Sequence, residues 1–194
     1  MYALRNLLEL NLSRNQIMDE GVANLAGASY LRNLQKLYLD DNLLSPVACG
    51  SLGQSQYLSK IEHLSLAYNN IKKEGLMEIA NSINFNKLIH LELESNEIEA
   101  EGVHAMAVSP HMVHLTYLNL KSNLVGNEGL FGLSIGIIKK LKYLNVQHNG
   151  IGEDGFRVIA ESDNFTKLAE LKIFDGNPGT TTEAKNALKR ASTL

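Results

Sequence analysis

The sequence predicts an α/β solenoid: a right-handed coil of strand–turn–helix units, with a parallel β-sheet on the concave face and helices on the convex face. Three observations carry this. Asparagine recurs at Asn15, Asn42, Asn69, Asn96, Asn123 and Asn149, at intervals of 27, 27, 27, 27 and 26 residues. Apolar columns keep step with it, the most regular being Leu10, Leu37, Leu64, Leu91, Leu118, Leu144 and Leu171. Within each unit the apolar period then changes from two residues to that of a helix, as from Leu91-Glu92-Leu93 to Leu76, Ile79, Ala80 and Ile83 in the unit before. Repeats of this length cannot bury their apolar faces alone and must stack.

Each element follows from the columns. Units start near residues 7, 34, 61, 88, 115, 141 and 168. The first column is Leu7, Leu34, Ile61, Leu88, Leu115, Leu141 and Leu168, and the third is Leu12, Leu39, Leu66, Leu93, Leu120, Val146 and Ile173. Between them lies a short strand with one face buried. Seven strands at about 4.8 Å span roughly 30 Å. The asparagine after each strand is expected to bond backbone groups of the following turn, which would otherwise be buried unpaired. In the seventh unit this column degrades, with Gly176-Asn177-Pro178 in its place. Six residues after the asparagine a glycine opens the helix (Gly21, Gly75, Gly102, Gly129, Gly155), except at Ala48. A final helix is expected over 181–192, with the narrow stripe Ala184, Ala187, Leu188 and Ala191. No capping helix precedes the first strand, although solenoids normally blunt their ends. Either the chain is a fragment of a longer protein, which is the favoured reading, or the uncapped N-terminal strand pairs with another chain in self-association. The whole of 1–194 reads as one domain.

The leucine columns, the asparagine column and the recurrent glycine resemble leucine-rich repeat proteins, and the repeat length resembles their ribonuclease-inhibitor-like subclass. The resemblance runs from Leu4 to about Leu188. It implies a horseshoe-shaped array, and a task of recognition, as in ribonuclease inhibitor, tropomodulin-type actin regulators and NOD-like receptors. Fold alone does not name the task, since one scaffold hosts many.

Composition removes several other tasks. With 18 Lys plus Arg against 21 Asp plus Glu, the net charge of −3 gives no general basic footprint for nucleic acid. A single cysteine, Cys49, permits neither a disulfide framework nor a thiolate-rich zinc site, and its column predicts a buried apolar residue. No apolar run is long enough to span a membrane, so no membrane partner is expected. Nucleophile elbows, phosphate loops and zincin motifs do not occur, and neither enzymatic activity nor a cofactor is expected. The expected compartment is the cytoplasm, with a secreted bacterial effector acting inside a host cell as the alternative.

The outward positions define a candidate surface. One row is Glu9, Lys36, His63, His90, Tyr117, Tyr143 and Glu170; the next is Asn11, Tyr38, Ser65, Glu92, Asn119, Asn145 and Lys172. At the strand exits come Ser13, Asp40, Ala67, Glu94, Lys121, Gln147 and Phe174, beside Arg14, Asp41, Tyr68, Ser95, Ser122, His148 and Asp175. An aromatic row on a concave surface is costly unless used. The partner-binding set is therefore Tyr38, His63, Tyr68, His90, Glu92, Glu94, Tyr117, Tyr143, His148 and Phe174, facing a protein of unknown identity. Tyrosines and Phe174 are the expected anchors, the glutamates charge selectors, and the histidines adaptable donors. His63, His90 and Glu92 could in principle meet a metal, but no supporting shell is visible and no metal is expected. A different reading, by similarity to the Ran GTPase activator, makes the protein an enzyme accessory. Arg14, in a strand-exit turn, would then be the residue offered to phosphoryl transfer.

Overall fold

Seven three-residue strands line up in chain order as one parallel sheet: β1 Glu9–Asn11, β2 Lys36–Tyr38, β3 His63–Ser65, β4 His90–Glu92, β5 Tyr117–Asn119, β6 Tyr143–Asn145 and β7 Glu170–Lys172. The register joins equivalent residues, so that His63 pairs with His90 and Leu64 with Leu91. This is a computed structural model that describes residues 4–191. The helices are α1 Met18–Ala26, α2 Pro46–Gly53, α3 Lys72–Asn81, α4 Ala100–Ala107, α5 Gly126–Ile135, α6 Glu153–Glu161 and α7 Thr182–Ala191. Short 3₁₀ turns lead into β2, β4, β5 and β7. The sheet stays open, and strands and helices alternate along a curved solenoid with the leucine columns buried between the two layers. Met1-Tyr2-Ala3, position 192 and the side chain of Ala191 lie outside the described residues; Ala184 of the predicted C-terminal stripe is buried, and Ala187 and Leu188 are half-buried.

The asparagines form a ladder between repeats as well as within turns. Asn96 Nδ2 donates to the carbonyls of Leu66 (2.9 Å), Leu93 (3.2 Å) and Glu94 (3.2 Å), while its Oδ1 accepts from the Ile71 N–H of the preceding repeat (3.2 Å). Asn42, Asn69, Asn123 and Asn149 repeat the arrangement. The seventh repeat corrects the expectation from sequence. Asn177 takes the place of the missing asparagine: its Oδ1 accepts from Asn149 and Ile151, and its Nδ2 donates to Val146 and Ile173. One extra residue after Ile173 hides it from a fixed spacing. The residue before each ladder asparagine is left-handed, including Arg14, Asp41, Tyr68, Ser95, Ser122 and His148, with φ from 52° to 63°. That twist costs about 1 kcal/mol at a non-glycine residue, and the ladder bonds hold it in place.

A second ladder runs along the opposite edge. Ser55, Ser82, Ser109 and Ser162 each donate to a carbonyl near the end of the preceding helix (Ala26, Gly53, Ala80 and Ser134). The same oxygens accept an N–H two residues on, capping the turn that follows. Helix C-terminal carbonyls would otherwise be left without partners.

The recurrent glycines lie inside the first turns of the helices, not at their openings, and close approach explains them. A Cβ on Gly75 would stand 2.6 Å from Ile71 Cγ2, one on Gly129 2.6 Å from Val125 Cγ1, and one on Gly155 2.5 Å from Ile151 Cγ2. In each case the obstructing atom is the branch of a β-branched residue four positions earlier. The exception, Ala48, follows Leu44, which has no branch at Cβ.

Parallel helices also sort the charges. Their N-terminal turns hold Asp19, Glu20, Glu74, Glu101, Glu128, Glu153 and Asp154 on one edge of the coil. Anionic side chains are favoured there by the aligned N–H groups.

Candidate functional site

The concave face carries one continuous stack. Because the register is exact, the rings of four neighbouring strands meet face to face: His63–His90 with centroids 5.1 Å apart, His90–Tyr117 at 3.7 Å, and Tyr117–Tyr143 at 4.2 Å. The planes of the last two pairs lie within 7° of parallel. At the C-terminal end Lys172 Nζ stands 5.4 Å from the Tyr143 centroid and pairs with Glu170 (3.4 Å); at the other end Lys36 pairs with Glu9 (3.3 Å). Stacked rings cover each other's faces, so the file offers its edges outward, with imidazole nitrogens and phenol oxygens as the accessible groups.

Burial in this file keeps the imidazoles neutral. It lowers His90 to about 4, helped by the charge of His63, and it lowers His63 as well, with Lys36 adding to the effect. The Tyr117 hydroxyl is pushed up by burial and then by the nearby charge of Glu92, whose Oε2 lies 3.4 Å away.

Toward the N-terminal half an open cleft of about 740 Å³ is lined by Asn11, Ser13, Arg14, Asp40, Asp41, Ala67, Tyr68, Glu92 and Glu94. Its carboxylates differ in their ties. Asp40 accepts from the Ser65 hydroxyl, the Ala67 N–H (2.8 Å) and the Ser13 hydroxyl (3.2 Å). Burial raises Glu94, but hydrogen bonds from Lys121 (2.9 Å) and Tyr68 (2.7 Å) outweigh it and hold the carboxyl below its usual range. Among the described residues no lysine or arginine is within ion-pair distance of Glu92, the nearby Lys121 pairing with Glu94 instead. Burial raises it, against hydrogen bonds from Asn119 and the Glu94 N–H. Among the described residues no three His, Cys, Asp or Glu side chains are grouped to hold a metal ion.

The leucine-rich repeat sequence signature matches residues 3–26, 57–80, 86–107, 111–134 and 138–160, more than half of the chain. The chain belongs to the leucine-rich repeat family. No curated protein matches its sequence significantly. Among solved structures it is similar to internalin C2 of Listeria monocytogenes, with 24% identity and a TM-score of 0.68 over 95% of this chain and 69% of that one. It is also similar to an internalin (inlF) of the same organism, with 18% identity and a TM-score of 0.55 over 97% of this chain and 61% of that one. At these identities the likeness concerns the fold. No helix among the described residues of this leucine-rich repeat protein is long and apolar enough to cross a membrane.

The structure gathers some of the sequence-derived candidates and separates others. His63, His90, Tyr117 and Tyr143 form the stack, Glu92 joins it through Tyr117, and Glu94 joins Tyr68 and Lys121. Tyr38 is half-buried in the neighbouring row. His148 lies at the strand exit against Gly176, where a Cβ would meet its ring. Phe174 does not extend the concave aromatic row. Its ring packs 5.9 Å from Phe156 of α6, with Lys185 of α7 5.7 Å away, so it closes the last repeat. Tyr117 and Tyr143, expected as exposed anchors, are half-buried by mutual stacking. Ser65, Asn119 and Asn145 point to the concave side but are buried between longer neighbours, the two asparagines accepting N–H bonds from Lys121 and Gln147. Lys121 was absent from the candidate set, although it lies 27 residues from Glu94 in the same column and so must pair with it.

Proposed function

We propose that this leucine-rich repeat protein is a non-enzymatic recognition module that takes a protein partner on its concave face. The observation that supports this best is the juxtaposition of the four-ring file with the acidic cleft. The file is a rigid edge of donors and acceptors fixed before binding, so little ordering is lost on docking. The cleft supplies Tyr68, more than half exposed, and Glu92, a carboxylate that forms no ion pair among the described residues. Binding residues are then Tyr38, His63, Tyr68, His90, Glu92, Glu94, Tyr117 and Tyr143, with His148 and the part-exposed Phe174 at the rim and the cytoplasm as the compartment. The test is affinity capture with mass spectrometry, comparing wild type with a Tyr117→Ala/Tyr143→Ala variant whose fold is verified by circular dichroism. Loss of a partner supports the concave face; retention of every partner overturns it. Arg14 lines the same cleft, which favours a second reading, GTPase stimulation. Under it Arg14→Ala abolishes stimulated GTP hydrolysis and leaves simple binding unchanged.

A further inference from the structure

The edge of the coil where helices end and chains turn into strands has a character that the concave reading does not use. Arg32, Lys60, Lys87, Lys139, Lys140 and Lys167 all lie there and all are exposed. None of them stands within ion-pair distance of a carboxylate among the described residues, whereas Lys36, Lys72, Lys73, Lys121 and Lys172 elsewhere all do. Lys60 reaches only the Asn33 amide (2.7 Å) and Lys140 only the His114 ring (3.2 Å). The carboxylates sharing the edge, Glu62, Glu161 and Asp163, are outnumbered.

The same edge exposes aliphatic side chains. Ile83 is 68% exposed, Val108 47%, Ile135 57% and Ile137 44%. Repetition puts them side by side. Val108, just after α4, and Ile135, the last residue of α5, are 27 residues apart, and the Ile137 N–H donates to the Ala107 carbonyl beside Val108. Exposed aliphatics rimmed by lysines occupy the third to fifth repeats, at the centre of the cation row.

We propose that this edge docks on the anionic surface of a lipid bilayer, with lysines at the headgroups and Ile83, Val108, Ile135 and Ile137 entering the interface. Charge complementarity and the aliphatic centre point the same way. Protein interfaces are poor in lysine and rely on aromatic and arginine anchors set in pockets. Here the cations are mainly lysines, and the apolar groups are aliphatic, each 44–68% exposed. The parallel, in-register strands bring this edge of successive repeats to the same side of the coil. The absence of a spanning segment does not bear on such peripheral contact.

The test is vesicle co-sedimentation of the intact protein with phosphatidylcholine alone and with about 30% phosphatidylserine added, a composition that gives the surface a clear negative potential. Wild type is expected on the anionic vesicles only, and less so as salt rises. Lys139→Glu/Lys140→Glu is expected to weaken binding more than tenfold, since each lysine contributes about fivefold. Ile135→Ser/Ile137→Ser weakens it at least threefold at low salt, and Glu128→Gln/Glu153→Gln on the opposite edge leaves it unchanged. All substituted positions are exposed or half-buried at the surface, and circular dichroism verifies each fold. Equal binding to both vesicle types overturns the proposal, as does binding indifferent to either pair. So does failure to sediment together with lysine-dependent capture by polyglutamate, which would make the occupant an acidic protein instead.

Discussion

The third and fourth repeats and the two ends of the coil are built from the same columns, yet their residues live differently. Leu64 and Leu91 are fully buried in β3 and β4, while the equivalent Leu10 and Leu171 in β1 and β7 are only half-buried. Phe85 is 1% exposed, and Leu4 in the same column is 43% exposed. Asn96 bonds to backbone in two repeats, whereas Asn15 donates only within its own turn. A residue's environment here is set by how many neighbouring repeats it has, more than by its own identity. Stability is a property of interfaces between units.

Deleting a ladder side chain tests this most severely. Asn96→Ala leaves the buried Ile71 N–H without its partner and removes one of the two donors to the Leu66 carbonyl; it is expected to cost about 3 kcal/mol, against under about 1 kcal/mol for Asn15→Ala at the solvated end. Urea denaturation of both variants measures the difference; equal costs would break the comparison.

Adding a methyl group sharpens it. Gly75→Ala drives a Cβ against Ile71 Cγ2 and, from the neighbouring repeat, to 3.2 Å from Cys49 Sγ, at an expected cost of about 2 kcal/mol. Gly21→Ala meets only Ile17 of its own turn, at 3.0 Å, and should cost less. Combining Gly75→Ala with Ile71→Leu copies the natural Leu44 and Ala48 pair and should recover part of the loss, read as a coupling energy in a double-mutant cycle.

The smallest effect concerns pH. His90, between two rings, is lowered to about 4, and His63, at the end of the file, is lowered too. A depressed folded-state value means that the unfolded chain takes up the proton first. Stability contributed by the neutral ring is complete above pH 6.5 and is lost as pH falls toward 4. Discounted for partial solvent exposure, His90 is expected to account for about 1 kcal/mol of that loss. His90→Gln should flatten the slope of unfolding free energy against pH in this window; an unchanged slope would place the effect elsewhere.

Much of this was legible in the sequence because repetition converts spacing into contact. Every strand, the pairing of His63 with His90 and the asparagine ladder follow from residues 27 apart. The serine ladder was harder to see because Ala28 and Gly136 interrupt it; at Gly136 a Cβ would strike the Ala107 carbonyl at 2.5 Å. Asn177 was hidden by one inserted residue. The packing of the Phe174 ring against Phe156, which leaves it 38% exposed, could not be read from spacing, since it depends on side-chain rotation. The stack was foreseen as a row, but not the covering of one ring by the next, which depends on side-chain rotation rather than position. The charged edges needed the helices to be seen in parallel.

The side chain of a ladder asparagine such as Asn96 both gives to and receives from the repeat before it, while its own N–H gives to the asparagine of the repeat after it. A whole unit copied in tandem therefore arrives with its own donor and acceptor and leaves no group of its neighbours orphaned, whereas a partial copy breaks the chain of exchange. The coil can lengthen or shorten by duplication and loss of complete segments with its wiring intact. The single-residue contraction between Asn123 and Asn149 falls in the α5–β6 connection, where no 3₁₀ turn forms and Ile137 is followed directly by the buried Ile138. Drift in length is tolerated there, outside the asparagine circuit, and such an array can diverge in reach without re-evolving its foundations.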